Sequence, residues 1–254
     1  MDFHCFSHDE VLACVGLSAR AYATIPEADA FHDDVSGCDC YVLKKSDENI
    51  AYVVFRGTSS FVDALSDCDV MLVPLHKSDH APLVHAGFLR QVKSSISHIR
   101  SILMGWEGHV RVTGHSLGAA CALLTAYLLV QDADDPARVS FVGFGCPRVG
   151  DGAFKSAFES AVPRALRVKN GRDPVCGVDT RKPYVHCGPE THVGRPDPHP
   201  ELPMMSNIAD HDVTQQYLAN VANDDPEEGP QSAAHYVMMF MAGKIASIAV
   251  RFPH

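Results

Sequence analysis

A serine stands between two glycines in Gly114-His115-Ser116-Leu117-Gly118, the G-x-S-x-G spacing of a nucleophile held on a sharp strand-to-helix turn. The flanking residues suit such a turn. Val110-Arg111-Val112-Thr113 is a β-branched run, and 119–130 is an apolar stretch rich in small residues. Side chains beside the serine would collide with the neighbouring strand or helix, and Gly114 and Gly118 remove those collisions. The following helix points free N–H groups and a partial positive charge at whatever the hydroxyl attacks. Attack on a carbonyl needs a base to take the serine proton, an acid to orient the base, and donors for the oxyanion. On an elbow of this kind the chain order is Ser, then Asp or Glu, then His. Asp173 lies just past a strand candidate, and His211 follows it. The N–H groups of Leu117 and Thr58 are the candidate oxyanion donors. Fifteen histidines leave the base open on chemistry alone. His85, His186, His192 and His235 compete with His211, whereas His115 is expected to point away from where the base must sit.

The elements that position these residues alternate between helix and strand. A helix is predicted over 8–24, with Val11, Leu12, Val15, Ala19 and Tyr22 on one face and Pro26 ending it. Strands at 40–44 and 50–55 read as a hairpin, the second almost wholly apolar and so buried on both faces. Arg56-Gly57-Thr58 leaves the carboxyl end of that strand, where ligands of open α/β sheets gather. A short amphipathic segment within 60–75 puts Phe61, Val62 and Leu65 on one face, a candidate lid. Further on come a helix from His85 to about 104, the nucleophile strand at 110–113 and its core helix, and a strand at 139–144. A helix at 151–160 follows, with Asp151 as N-cap. A strand at 165–169, a strand or hairpin within 184–193, and a helix within 207–222 carrying His211 complete this part. A last amphipathic helix at 233–250 holds Met238, Met239, Phe240 and Met241 as core residues. Gly143, Gly145 and Gly150 have the wrong spacing for a dinucleotide loop, and Pro147 interrupts them.

Composition narrows the partners. The formal net charge is −10 and no basic cluster stands out, so nucleic acid is not an expected partner and docking to an anionic membrane is disfavoured. A neutral substrate suits this balance. No Cys-x-x-Cys pair or His-Glu-x-x-His occurs, and Cys38-x-Cys40 and the His186, His192, His199 set lack a metal-ligand spacing. No metal or other cofactor is expected. The apolar stretch at 117–130 is too short to span a bilayer, and no transmembrane segment is expected. The first ten residues lack a basic region and a long apolar run. With nine cysteines, an odd number, and no Asn-x-Ser/Thr sequon, the expectation is an intracellular, reducing compartment with free thiols.

Six short blocks resemble the class 3 (fungal-type) lipases, a family of α/β-hydrolases, over about 50–217. They are Phe55-Arg56-Gly57-Thr58, Val84-His85-Ala86-Gly87-Phe88, the Ser116 pentapeptide, Phe144-Gly145-Cys146-Pro147-Arg148-Val149-Gly150, Asn170 to Val175, and Tyr184-Val185-His186-Cys187-Gly188-Pro189-Glu190. The resemblance implies one α/β-hydrolase domain over residues 1–254, with a mostly parallel central sheet flanked by helices. It implies hydrolysis of carboxylic esters, lipid esters above all, through an acyl-enzyme and without a cofactor, with a lipid–water interface as a place of action. It places the acid at Asp173 and the base in Asp210-His211 followed by Tyr217. It makes His186 a structural hairpin residue and Asp67 a lid-hinge or structural acid. The chain departs from many members at Ala119, where they have glycine, and at Ala64, where they carry a lid tryptophan. Many members are also secreted and disulfide-bonded. An esterase and a phospholipid or monoacylglycerol hydrolase therefore stand beside a triacylglycerol lipase. Acyl transfer would use the same triad. An inactive lipid-binding relative would show eroded triad positions, and here each is filled.

Overall fold

A computed structural model describes residues 3–58, 71–177, 183–194 and 208–223. The first helix, α1 (His8–Arg20), starts at a capping box. Glu10 N–H donates to the Ser7 hydroxyl at 3.2 Å, and Ser7 N–H donates to the Glu10 carboxylate at 2.8 Å, so two free donors of the first turn are satisfied reciprocally. The helix stops before residue 24. Tyr22 and Ala23 N–H bond back only three residues, to Ala19 and Arg20, which tightens the end and turns the chain ahead of Pro26.

Three antiparallel strands follow, β1 (Asp29–Asp33), β2 (Cys38–Lys45) and β3 (Ile50–Phe55). The β2–β3 hairpin is the one the alternation predicts; β1 carries two aspartates and little apolar signal, and pairing with β2 recruits it. A small two-stranded sheet, β4 (Leu72–Pro74) with β5 (Leu83–His85), leads into α2 (Ala86–Leu103). Then come β6 (His109–His115), α3 (Leu117–Val130), β7 (Val139–Phe144), α4 (Gly152–Ala161) and β8 (Arg164–Asn170). A one-turn helix α5 (Pro174–Gly177), β9 (Glu190–Val193), a 3-10 turn (Ile208–His211), a π turn (Val213–Tyr217) and α6 (Leu218–Ala222) end the described chain.

The main sheet runs β1-β2-β3-β6-β7-β8-β9, parallel from β3 to β9. The predicted hairpin within 184–193 is resolved differently. Val185 bridges antiparallel to Gly150, and β9 adds as a parallel edge to β8, because the turn at Gly188, φ 77°, separates the two. Every residue of β3 and β7 is buried, and their side chains divide by alternation. Val53, Phe55, Val112 and Phe141 pack under α2, α3 and α4. Tyr52, Val54, Val142 and Phe144 pack on the opposite face, under α1 and α6. A mostly parallel sheet with helices on both faces is the expected architecture. Among the described residues, no helix is long and apolar enough to cross a membrane.

Candidate active site

Ser116 sits where β6 breaks into α3, with φ 59° and ψ −127°. A side chain is rarely found at such angles, and the surroundings hold it there. Ser116 N–H donates to the Phe144 carbonyl at 2.9 Å, and its own carbonyl accepts from Ala119 N–H at 3.0 Å. A Cβ at Gly114 would lie 2.6 Å from the Gly118 backbone, and one at Gly118 would lie 2.8 Å from the Arg56 carbonyl carbon. Only glycine at both positions lets β6, α3 and the β3 loop close on one another.

The predicted acid and base converge on this turn. His211 Nε2 lies 2.8 Å from Ser116 Oγ, and His211 Nδ1 lies 2.8 Å from Asp173 Oδ2. An ionised carboxylate only accepts, so Nδ1 carries the proton and Nε2 accepts from the serine hydroxyl. The Asp173 side chain is fully buried. Burial alone would raise its carboxyl, but hydrogen bonds from His211 and Tyr217 hold it below its ordinary value. Tyr217 O–H donates to Oδ2 at 2.6 Å, and Val175 N–H donates to Oδ1 at 2.8 Å. Three donors thus replace the water this carboxylate lost.

The base turn is pinned to the acid loop by its neighbours. Asp210 Oδ2 accepts from Arg172 N–H at 2.8 Å, and the Asp210 carbonyl accepts from Asn170 Nδ2 at 2.8 Å. Asn220 Nδ2 donates to Asn170 Oδ1 at 2.7 Å. Asp212 caps the π turn through Thr214 and Gln215 N–H. Beneath the triad lies Gly145, at φ +57°. A Cβ there would stand 2.8 Å from Asp173 Oδ2 and 3.0 Å from His211 Nδ1. Nothing in the local spacing of Gly145 or Asn170 signals these contacts, since their partners are distant in sequence.

Leu117 follows Ser116 directly, and Thr58 follows the strand beside it. Leu117 is the first residue of α3, so its N–H has no partner within the helix. Thr58 lies three residues past the end of β3, the strand beside β6, where Phe55 registers with Gly114. Three of the four rival bases are engaged elsewhere. His85 Nδ1 caps α2, accepting from Gly87 N–H at 3.1 Å. His186 Nε2 donates to the Cys176 carbonyl at 2.9 Å, and His192 pairs with Glu190 at 2.7 Å. His115 is a correction. It does not leave the site but packs its ring on that of His211, centroids 4.4 Å apart. The candidate lid residues Phe61, Val62 and Leu65, the candidate hinge acid Asp67, His235 and the 233–250 helix lie outside the described residues. Ser116 has no exposed surface.

The family model described as Lipase (class 3) matches residues 52–182, just over half of the chain. Phospholipase A1-II 1 of Oryza sativa subsp. indica is 34% identical over 148 residues, covering 48% of this chain and 38% of that protein. A lipase of Rhizopus niveus is 33% identical over 171 residues, covering 63% of this chain and 42% of that protein. The chain therefore spans only about four tenths of these relatives' length. The Rhizomucor miehei triacylglyceride lipase superposes with a TM-score of 0.70 at 23% identity, over 80% of this chain and 92% of that one. That likeness shows an α/β-hydrolase fold.

Proposed function

This chain belongs to the class 3 lipase family, and from that premise we propose that it hydrolyses carboxylic esters of lipids through an acyl-enzyme on Ser116. The observation that carries this is the unbroken line Ser116 Oγ–His211 Nε2 and His211 Nδ1–Asp173 Oδ2, each step 2.8 Å. Ser116 Oγ attacks the ester carbonyl while its proton passes to His211 Nε2. Asp173 holds the Nδ1–H tautomer and offsets the charge of the imidazolium. The N–H groups of Leu117 and Thr58 hold the oxyanion; losing one such donor typically raises the barrier by about 3–4 kcal/mol. The imidazolium then gives its proton to the leaving alcohol, and water, activated by the same histidine, releases the acid. No step calls for a metal or cofactor.

Because Ser116 has no exposed surface, an ester reaches it only after part of the molecule moves. The similar proteins named as lipases and as phospholipases A1 support both neutral acylglycerols and phospholipids as substrates. The odd number of cysteines and the lack of Asn-x-Ser/Thr sequons are the grounds for proposing a reducing compartment. The test is labelling with a fluorophosphonate probe, the modified peptide being located by mass spectrometry. Labelling is expected at Ser116 and is lost in Ser116→Ala and His211→Ala. A folded wild type that neither labels nor releases acid from emulsified or micellar lipid overturns the proposal. Release of a transferred acyl product in place of free acid would make the enzyme an acyltransferase.

A further inference from the structure

Outside the matched segment, α1 does more than cover the sheet. Along β6, alternate side chains point at it and at the turn that follows it, and meet them in three polar rungs. Arg111 pairs with Glu10, Thr113 Oγ1 lies 3.2 Å from Ser18 Oγ, and His115 Nδ1 lies 2.8 Å from the Tyr22 hydroxyl. The first two are remote from the serine. The third abuts the triad, since His115 is buried at 3% exposure with its ring 4.4 Å from that of His211, inclined by 38°.

We infer that Tyr22 and His115 are positioning residues, a pair that seats the base and the oxyanion loop against the turn that ends α1. This rests on the ester-hydrolysis proposal above. The two nitrogens of His211 are bonded to Asp173 and Ser116 in the plane of the ring, and these bonds do not support the face of the ring. The His115 ring packs on that face, and the Tyr217 ring stands edge-on to His115, 5.6 Å away. Tyr22 holds His115 from behind. The Tyr22 hydroxyl and the His115 carbonyl also fill the space that a Cβ at Gly57 would need, so the same pair sets how closely the Arg56-Gly57-Thr58 loop approaches. The base segment docks on α1 a second time, through His8 Nε2 and the Val221 carbonyl at 2.7 Å.

The charged and titratable groups around the pair are His211, Asp173 and Asp212 on one side and Arg56 on the other, with the Tyr217 hydroxyl beside Asp173. Burial, and then the neighbouring His211, push the His115 imidazole down to about 3. His115 thus stays neutral while His211 gains and loses its proton. A dry, neutral ring behind the base also keeps water from the imidazolium.

The experiment replaces His115 by Ala and by Phe, and Tyr22 by Phe. It follows kcat, KM and the acid limb of kcat/KM on a soluble short-chain ester. In parallel, NMR of the ring nitrogens follows the titration of His211 without substrate. His115→Ala is expected to lower kcat about tenfold with KM within about twofold, as for a displaced catalytic group. It is expected to move both midpoints upward, because water then solvates the imidazolium. His115→Phe, which restores a ring face, is expected to recover most of kcat, and Tyr22→Phe to fall between. Folded His115→Ala and Tyr22→Phe proteins with wild-type kcat and unmoved midpoints overturn the inference. If His115→Ala does not fold, Tyr22→Phe decides by the same readouts. A wild type without esterase activity overturns the ester-hydrolysis proposal, and the ring titration still decides for or against the pair.

Discussion

Asp173 shows how much one buried carboxylate demands of its neighbours. Its oxygens accept from His211, Tyr217 and Val175 N–H. Removing a donor from a buried charge is costly, since no water replaces it. Tyr217→Phe is therefore expected to destabilise the protein by about 1–2 kcal/mol, read from urea denaturation, and to lower kcat with little change in KM. Asp173→Asn keeps the shape but offers an amide N–H where Nδ1–H must donate, so the base is held in the wrong tautomer. The rate of ester hydrolysis is expected to fall about ten-thousandfold, the size of the effect known for a serine-protease triad. A loss of less than about tenfold would show that Asp173 does not orient the base.

At the scale of elements, two joints hold the site together. The loop after β7 passes under the triad at Gly145, whose positive φ and missing Cβ let Asp173 and His211 meet above it. Gly145→Ala adds about 1–2 kcal/mol of backbone strain and pushes on the acid and the base. Fluorophosphonate labelling is expected to slow at least tenfold in a protein that still melts cooperatively. The other joint is where α1 meets β6. Arg111 is almost fully buried, and Glu10 serves it, Arg164 and the Ser7 capping box together. Burial would raise the Glu10 carboxyl, but Arg111 and its other partners hold it below its ordinary value. Glu10→Ala leaves the Arg111 charge uncompensated, and a loss of about 3–5 kcal/mol in unfolding free energy is expected. Arg111→Met together with Glu10→Gln should recover part of that loss.

Across the whole molecule, protons link stability to pH. His115 and His186 are pushed down to about 3 and about 4, burial being the main cause. Unfolded, each would titrate at its ordinary value of 6.5. As pH falls below that value, the unfolded chain binds protons that the folded chain refuses, so stability falls as pH falls. Each such histidine contributes a slope approaching about 1.4 kcal/mol per pH unit below the unfolded value, until its folded value is reached. Asp173 adds to the loss at lower pH still, because its folded carboxyl lies below its unfolded value of 3.8. The melting temperature is expected to drop steadily from pH 7 to pH 4.5, and the drop to be shallower in His186→Gln. Parallel curves for the two proteins would remove His186 from this account.

The sequence by itself determined what short-range physics encodes. The glycines around Ser116, the N-cap at Asp151 and the burial of 50–55 were all legible, because sterics, capping and hydrophobic alternation act over a few residues. The choice of His211 among fifteen histidines needed a resemblance, since each isolated histidine offers the same imidazole. Other features only the tertiary structure decided. Tyr217 reaches Asp173 across 44 residues, and Tyr22 reaches His115 across 93. The edge strand β1 exists because β2 offers it free N–H and C=O groups. Such pairings depend on which strands lie side by side and which helix covers them, a property of the packed sheet that no local window of residues carries. His115 is the clearest case. Its neighbours in sequence say only that it alternates away from Val112 and Gly114, and α1, packed on that face, turns it into the back wall of the base.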